Sequence, residues 1–594
     1  MSHFTASVLS TVLALVTFAP AQSQQSPDVA QRSRALDKLF DDYWQQSLRY
    51  SPESATFLGD NRYSDNWSDY SGAAYNAALA READFIVRLG AIDTAGLTDQ
   101  QRLSSELLMR SLIDDQEGAR FKTWQMPVTQ FGGPQTTLPQ VIAVMPFTTV
   151  QDYDNYIARL NKIPAVFAQV QQAMTAGVDE GRTRPQLLMI KALQQVTTLA
   201  TSKPEDSPFA APLKKFPAGI AAAEQQRIRT DALAAITGSV LPSYDRFARY
   251  LKAQYIPRAR TTLGTSALPN GVAYYAFLIR RNTTLTRSAD DLHQLGLAEV
   301  KRDEAEMLTI AKKLGYTDLK TFNAALKSDP KLHPASAAQL LDAYRAPLVA
   351  MQAKLPELFG RLPKAKLDVV AVPPYREQQS APAYYEPGTP DGKRPGQFFV
   401  NTYHPTDRQL FVAEAIAYHE GVPGHHLQIS IAQELEGFPE FRKQDGYTAY
   451  IEGWGLYSER LGKDIGFYKD PYNDYGRLQA DIWRAIRLVV DTGVHSKGWT
   501  REQMVDYFHD HSAVDESSVQ AEVDRYIAIP AQALAYKSGQ LKLLELRERA
   551  QQKLGDKFSI KAFHDQVLDS GALPLDILER RIDSWIAAGG PASN

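Results

Sequence analysis

Apolar residues recur at the spacing of an α-helix through most of this 594-residue chain. One predicted helix covers residues 33–53 and would end at Pro52. The apolar face of that helix consists of Leu36, Leu39, Phe40, Tyr43, Trp44 and Leu48. Further helices are predicted within residues 74–120, 151–180, 223–255, 288–315, 319–327 and 336–360, with Pro-punctuated connectors at 201–218 and 256–270. This periodicity predicts a mostly α-helical protein.

One segment rich in Pro and Gly interrupts the helical pattern. Aromatic residues that favour strands flank it, and we expect two short strands at Ala383–Glu386 and Gln397–Thr402. A helix should follow, because Thr406 and Gln409 have the spacing of a capping box. That helix would lead directly to His419.

Composition narrows the functional classes. The net charge is −3, and no basic stripe that would favour nucleic acid is present. The chain has no cysteine, so it can form no disulfides and no thiolate metal site. A metal ion would have to be held by His, Asp or Glu.

The N-terminus has the pattern of an export signal. An apolar run covers residues 8–19, and Ala19-Pro20-Ala21 provides small residues for cleavage, most simply after Ala21. The run is too short for a typical transmembrane helix, which needs about 20 apolar residues. We expect a signal peptide at 1–21 and a periplasmic or secreted protein that is not held in the membrane once the signal is removed. A disordered N-terminal tail is the alternative.

The motif HEGVPGHH at 419–426 approaches the zinc-protease pattern H-E-x-x-H and departs from it at Pro423. The next histidines are His425 and His426, six and seven residues after His419. Pro423 cannot donate a hydrogen bond to the His419 carbonyl, and the glycines on either side of it permit a bent backbone. The sequence therefore predicts a stretched motif in which His419 and His425 are the preferred metal ligands. His426 remains the alternative to His425.

A third ligand is needed, because catalytic zinc is held by three protein groups and keeps one position open. Glu452 lies in an apolar helical run, where a carboxylate is unfavourable unless it is paired or bound to a metal. Glu459 is two turns further along the same face and suits a partner of a ligand. Alternatively, both glutamates line a solvated face. Glu420 would then be the general base that takes a proton from a water activated by the metal.

Several motifs together resemble a known bacterial family. They are HEGVPGHH, IEGWGLYSERLG (451–462), RLVVDTGVHSKGW (487–499) and PAQALAYKSG (530–539). The chain resembles the bacterial family called domain of unknown function 885, which is similar to gluzincin oligopeptidases of the angiotensin-converting-enzyme and thimet-oligopeptidase type. The resemblance implies a large helical clamshell, with residues 22–594 forming one domain whose two subdomains surround a channel. It also implies one zinc ion per chain and peptide substrates.

The resemblance implies supporting residues as well. A strand beside the zinc helix, ending near Asn401, would pair with the substrate backbone. His495 and Tyr526 would stabilise the oxyanion. Asp491, four residues before His495, could orient that histidine or form an ordinary exposed ion pair.

Basic residues late in the chain are candidates for binding the substrate. Arg525 or Lys537 could hold a terminal carboxylate, with Tyr536 beside Lys537, although each basic residue could also be an ordinary solvated side chain. Arg484 and Arg487 are expected to pair with nearby acids.

The sequence thus predicts an exported zinc hydrolase that cleaves short peptides. One alternative is a zinc amidase or esterase that acts on other substrates. Another is a helical binding protein whose metal site is degenerate.

Overall fold

The structure is a computed structural model that describes residues 27–590 except 374–376, 378–380, 390–393 and 445. The predicted signal peptide at 1–21 lies outside the described residues. The chain is 72% helix and 3% strand, so the prediction of a mostly α-helical protein is confirmed. Among the described helices, none combines the length and the apolar character needed to cross a membrane.

The N-terminal helices pack around one small core. They are α1 (Pro27–Tyr50), α2 (Pro52–Phe57), α3 (Gly72–Gly90) and α4 (Asp99–Gly118). Leu36, Leu39 and Phe40 of the predicted apolar face are buried in this core. Pro52 follows the first helix as expected and also begins the second, because proline fits the first turn of a helix.

A second core is built from the next five helices. They are α5 (Pro134–Val144), α6 (Val150–Asp179), α7 (Gln186–Ala200), α8 (Ala222–Ala235) and α9 (Leu241–Tyr250). Two π-helical turns, Ile236–Val240 and Leu251–Tyr255, continue α8 and α9. The predicted connector at 201–218 holds only short 3₁₀ turns, so its prediction is confirmed.

The longest buried helix of the C-terminal half organises a third core. The helices in this part are α10 (Gly271–Thr283), α11 (Ala289–Lys313), α12 (Leu319–Ser328), α19 (Pro471–Ser496), α20 (Arg501–His511) and α21 (Glu516–Ala528). Helix α11 packs along α19. Ile482, Ile486 and Val490 of α19 are fully buried in this core. Most of α19 is therefore shielded from water, including several of its charged side chains.

The largest core surrounds the HEGVPGHH motif. Its helices are α13 (Ala337–Gln352), α14 (Leu355–Leu358), α15 (Ala413–Glu420), α16 (His425–Glu434), α17 (Glu440–Gln444), α18 (Thr448–Asp464), α22 (Leu534–Leu554), α23 (Ile560–Leu568) and α24 (Leu575–Ala587). Helix α18 packs along α22, and α15 contacts both α18 and α19. Tyr418, Tyr450 and Trp454 are fully buried here, so the helices that carry the motif are held by large aromatic side chains.

A three-stranded sheet lies beside α13 and α15. Its strands are β1 (Leu367–Ala371), β2 (Ala383–Glu386) and β3 (Gly396–Val400), in the order β1-β3-β2. Strand β3 pairs in parallel with β1 and antiparallel with β2, with Tyr385 opposite Phe398. The prediction of β2 is confirmed at both ends, β3 begins one residue earlier and ends two residues earlier than predicted, and β1 was not predicted.

The predicted capping box at Thr406 is wrong. Thr406 lies in a short 3₁₀ turn, Pro405–Asp407, and α15 begins only at Ala413 without a side-chain cap. The amide of Gln409 is occupied elsewhere, because it accepts a hydrogen bond from Gln479 of α19. The helix nevertheless leads to His419, as expected.

Candidate metal centre

The HEGVPGHH motif occupies two successive helices instead of one. Helix α15 ends at Glu420 and α16 begins at His425, with a four-residue turn between them. Gly424 is required in that turn, because a Cβ atom there would lie 1.9 Å from the carbonyl oxygen of His419. The indole of Trp454 donates a hydrogen bond of 2.8 Å to the Pro423 carbonyl and ties the turn to α18. The turn lets two histidines six residues apart face each other.

Three ligand atoms converge where α15, α16 and α18 meet. His419 Nε2 lies 3.4 Å from Glu452 Oε2, and His425 Nε2 lies 3.5 Å from the same oxygen. The potential ligand atoms of these three residues all lie within 4.8 Å of one another. Ligands bound to zinc at 2.0–2.2 Å in a tetrahedron are separated by about 3.4 Å. The arrangement therefore fits a zinc ion without rearrangement of the His–Glu contacts.

The His419 ring is fixed from two sides. Its Nδ1 atom lies 2.8 Å from Glu459 Oε1, which leaves Nε2 directed at Glu452. On the opposite side Gly455 provides room for the ring, since a Cβ atom there would lie 2.5 Å from His419 Cε1. Arg484 of α19 approaches Glu459 Oε1 to 3.4 Å. A buried carboxylate thus orients the His419 ring, an arrangement that is common for metal-binding histidines.

Opposed charges perturb the pKa values in this cluster. Burial alone would lower the pKa of His419, but its hydrogen bonds with Glu452 and Glu459 outweigh burial and raise the pKa to about 9. Burial would raise the pKa of Glu452, but the two histidines hold it well below its usual range. Without a metal ion, a proton on His419 would therefore compensate the carboxylates.

Glu420 is placed differently from the other acids. It follows His419 directly, at the end of α15, and is partly exposed. Within the part of the chain that the structure describes, its carboxylate forms no hydrogen bond or ion pair. Its negative charge is nevertheless close enough to His419 to favour the protonated imidazole. A free carboxylate beside a ligand is available for proton transfer.

The structure distinguishes between His425 and His426, the two candidates for the second metal ligand. His426 points away from the cluster, with its Nδ1 atom 3.0 Å from the Tyr385 hydroxyl and its Nε2 atom 3.2 Å from the Ala365 carbonyl. Burial lowers the pKa of His426 to about 4, so the ring is neutral. It therefore links α16 to the sheet, and only His425 shares the cluster with His419.

The expected pairing of a substrate strand at β3 is contradicted. Strand β3 is central, with β1 and β2 on its two sides, so it offers no free edge. The Asn401 side chain donates to the Glu377 carbonyl at 2.6 Å and accepts from the backbone amide of Tyr403 at 3.0 Å. Asn401 therefore fixes the chain beyond β3.

His495 is not available in the predicted oxyanion role. Its Nδ1 atom accepts a hydrogen bond of 3.1 Å from the Thr265 amide, and its Nε2 atom donates one of 2.9 Å to the Tyr526 carbonyl. Burial lowers the pKa of His495 to about 3, which keeps the ring neutral. Both ring nitrogens are committed to the backbone, so this histidine joins α19 to α21 and to the segment before α10.

The expectation that Asp491 orients His495 is also wrong. Asp491 accepts hydrogen bonds from the Tyr275 hydroxyl at 2.5 Å and from the Ala531 amide at 3.1 Å. Burial raises the pKa of Asp491 to about 7. The Tyr275 ring lies against His495, with 5.2 Å between ring centroids. Asp491 and His495 thus share a neighbour without bonding to each other.

Tyr526 and Lys537 are engaged within the protein. The Tyr526 hydroxyl donates to Glu522 at 2.5 Å and accepts from Arg487 at 2.9 Å. Lys537 is fully buried, and its ammonium lies 2.7 Å from Asp481, so the prediction that it binds a substrate carboxylate is wrong. A buried ammonium needs such partners, and the interior acids around it supply them.

Arg525 and Tyr536 lie together. The Arg525 guanidinium donates to the Tyr536 hydroxyl at 3.1 Å, and a quarter of the Arg525 side chain is exposed. Arg484 pairs with Glu459, and Arg487 pairs with Glu522. The prediction that these two arginines pair with nearby acids is therefore confirmed. The contact of Arg484 with Glu459 could not be predicted from the sequence, because it joins α18 and α19 across the core.

The fold and site together define a mostly α-helical protein with a His–His–Glu cluster where three helices meet. The chain belongs to the family described as "Bacterial protein of unknown function (DUF885)", whose model matches residues 52–582. That membership confirms the family resemblance seen in the sequence motifs.

Two solved structures share the fold. One is a candidate lipoprotein from Colwellia psychrerythraea, with 29% identity and a TM-score of 0.87, covering 94% of this chain and 100% of its own. The other is a candidate lipoprotein of unknown function from Shewanella oneidensis, with 18% identity and a TM-score of 0.72, covering 92% of this chain and 99% of its own. No curated protein matches the chain.

Proposed function

We propose that this protein is an exported zinc-dependent hydrolase that cleaves short peptides. The observation that carries the proposal is the convergence of His419 Nε2, His425 Nε2 and Glu452 Oε2 within 4.8 Å. Two imidazoles and one carboxylate form a donor set used by catalytic zinc, and they leave a fourth position for water or substrate.

The charge around the cluster supports a divalent cation. Glu420, Glu452 and Glu459 bring three carboxylates, and the Arg484 guanidinium approaches one of them, Glu459. With neutral imidazoles, these four groups leave two negative charges in a largely buried site. A divalent ion would balance them, since buried charges are stable only when compensated.

The residues of the chain have distinct parts in the proposed reaction. Zinc, when bound, would act as a Lewis acid that polarises the substrate carbonyl and makes water more acidic. His419, His425 and Glu452 would hold the ion, and Glu459 would keep the His419 ring in position. The Glu420 carboxylate would accept a proton from the attacking water and pass it to the leaving amine.

Export is part of the proposal. The apolar run at 8–19 and the small residues around Ala21 have the pattern of a cleavable signal. The Colwellia and Shewanella proteins are described as candidate lipoproteins, which is consistent with an exported relative. We therefore propose that this protein acts in the periplasm or in the medium.

Metal content and peptide cleavage test the proposal together. The purified protein should bind about one zinc ion per chain and cleave synthetic peptides. His425→Ala should lose both properties, whereas His426→Ala, altered at the adjacent buried histidine, should keep the zinc. Glu420→Gln should keep zinc and lose cleavage.

The same measurements separate the alternatives. A protein that takes up no zinc when metal is supplied would be a helical binding protein with a degenerate site. A protein that binds zinc and hydrolyses amide or ester substrates but no peptide would be an amidase or esterase. Full peptidase activity in Glu420→Gln would refute the assignment of the base.

A further inference from the structure

A cluster of cationic and aromatic side chains lies where α19, α21 and α22 meet. Arg487 is its most buried cation, with 6% of its side chain exposed. Its Nε atom donates to the Tyr526 hydroxyl and its Nη2 atom to Glu522, both at 2.9 Å. Its Nη1 atom is buried and has no hydrogen-bond partner within the described chain. Such a donor normally has an acceptor, because an unpaired buried donor is strongly unfavourable.

The cluster carries an excess positive charge. Arg487 and Arg525 share one carboxylate, Glu522, which lies 2.9 Å from Arg487 and 3.2 Å from Arg525. The two guanidiniums hold the pKa of Glu522 at about 2 despite its burial, so that carboxylate is ionised. One positive charge remains uncompensated, and one further anionic group would balance it.

The Tyr536 hydroxyl is a second donor in the cluster. The Tyr536 hydroxyl accepts a hydrogen bond from Arg525, and its own proton has no acceptor among the described residues. The Arg487 guanidinium lies over the Tyr536 ring, 4.3 Å from its centroid. Arg525 is a quarter exposed, so the cluster is reachable from solvent at that side.

The cluster is also close to the candidate metal centre. Arg484 and Arg487 are three residues apart on α19, which is less than one turn of helix. Arg484 contacts Glu459, and Glu459 holds His419. A group bound at Arg487 would therefore lie near the bond that the metal centre would cleave.

We infer that Arg487, Arg525 and Tyr536 form a subsite for a carboxylate group of the substrate. The inference rests on the proposed peptidase function for the identity of the substrate. A carboxylate carries the single negative charge that the cluster lacks, and its two oxygens can accept from the Arg487 Nη1 and Tyr536 donors. It comes either from the C-terminus of the peptide or from an acidic side chain near the cleaved bond.

Binding of small probes tests the subsite independently of catalysis. The metal-free protein is titrated by calorimetry with an N-acetylated amino acid, its amide, and an N-acetylated glutamate diamide in which both carboxyl groups are amidated. We expect the acid to bind about 10- to 100-fold more tightly than either amide. An N-acetylated glutamate α-amide, which keeps only the side-chain carboxylate, distinguishes the two sources of the carboxylate.

Three variants make the test specific. Tyr536→Phe removes only the hydroxyl, and Arg525→Met removes one partly exposed cation. Each substitution should reduce the preference for the acid several-fold or more. Arg501→Met is the matched control, because Arg501 is also a quarter exposed and pairs with Asp524 instead. Equal binding of acid and amide, or an unchanged preference in both subsite variants, would overturn the inference.

Peptide cleavage distinguishes this inference from the proposed function. If the probes bind as expected but no peptide is cleaved by the zinc-loaded protein, the subsite stands and the peptidase proposal fails. If peptides with and without a carboxylate are cleaved with equal kcat/KM, the peptidase proposal stands and the subsite fails.

Discussion

The Nδ1 atom of His419 and the Oε1 atom of Glu459 lie 2.8 Å apart in the buried interior of the protein. Glu459 is 2% exposed, and its second oxygen has no hydrogen-bond partner in the described chain. This contact fixes the His419 ring so that its Nε2 atom faces Glu452. The orientation of a candidate metal ligand therefore depends on a residue outside the His–His–Glu cluster.

Replacing Glu459 should weaken metal binding while leaving all three ligands in place. Glu459→Gln keeps an oxygen near His419 but removes the charge that orients and polarises the ring. We expect zinc affinity to fall about 10- to 100-fold, as is typical for partners of metal-binding histidines. Competition with a chelator of known affinity measures the change.

Glu434→Gln is the matched control for that experiment. Glu434 lies on α16, the helix that carries His425, and accepts hydrogen bonds from the Lys364 and Ala365 amides. Its replacement removes one charge without touching a ligand, so zinc affinity should stay nearly unchanged. An equal loss in both variants would mean that general charge, not orientation of His419, controls affinity.

Gly455→Ala should disturb the site through packing alone. In most helices alanine is more favourable than glycine by up to about 1 kcal/mol. Here the new methyl group would lie 2.5 Å from His419 Cε1, so the ring would have to move. We expect lower thermal stability and weaker zinc binding. Gly238→Ala, at an exposed position with open space around it, should be neutral or slightly stabilising.

Much of the fold follows from local sequence signals. Helices α6 and α11 match their predicted segments closely because each has a long apolar face and a capping box that marks its start. Strand β1 could not be predicted in the same way. Its five residues alternate weakly in polarity, and its pairing partner β3 lies more than 20 residues away.

The sequence identified the residues of the His–His–Glu cluster, but it did not predict the contacts of the residues expected around them. His419, His425 and Glu452 stand out because unusual residues are crowded into an apolar run, which is a local signal. The roles expected for His495 and Lys537 failed for the opposite reason. Their partners, such as Tyr526 and Asp481, come from other helices, and only tertiary packing decides which groups a buried side chain meets.

Lys537 should be a stabilising residue and not a substrate contact. Its ammonium is fully buried, 2.7 Å from Asp481 and 3.3 Å from Glu299. Lys537→Met would leave these acids compensated mainly by Arg302, which also bonds to Asp481. We expect a loss of about 3–5 kcal/mol in the free energy of unfolding, measured by urea denaturation.

A second substitution separates the two roles of Lys537. In the double variant Lys537→Met with Asp481→Asn, the unpaired charge is reduced, so part of the stability should return. A substrate contact would behave differently: KM would rise in the single variant, stability would stay near the wild-type value, and the second substitution would restore nothing.

Protonation of His564 should contribute to destabilisation of the protein in acid. His564 is fully buried; its Nδ1 atom donates to the Leu358 carbonyl at 2.9 Å, and its Nε2 atom accepts from the Tyr457 hydroxyl at 2.8 Å. Burial lowers the pKa of this histidine to about 3, whereas an unfolded chain has a value near 6.5. The ring is thus neutral in the folded protein throughout the mildly acidic range.

The sign of the pH effect follows from those two values. Above about pH 6.5 neither state protonates the ring, and its full contribution to stability is present. As the pH falls from 6.5 towards 3, only the unfolded chain takes up the proton, so stability is lost at about 1.4 kcal/mol per pH unit. His564→Gln should therefore be less stable than wild type at pH 7.5, and the difference should narrow by about 2 kcal/mol at pH 5. Phe563→Leu, a neighbouring fully buried change without a titratable group, should show a constant difference, and a constant difference for His564→Gln as well would contradict the prediction.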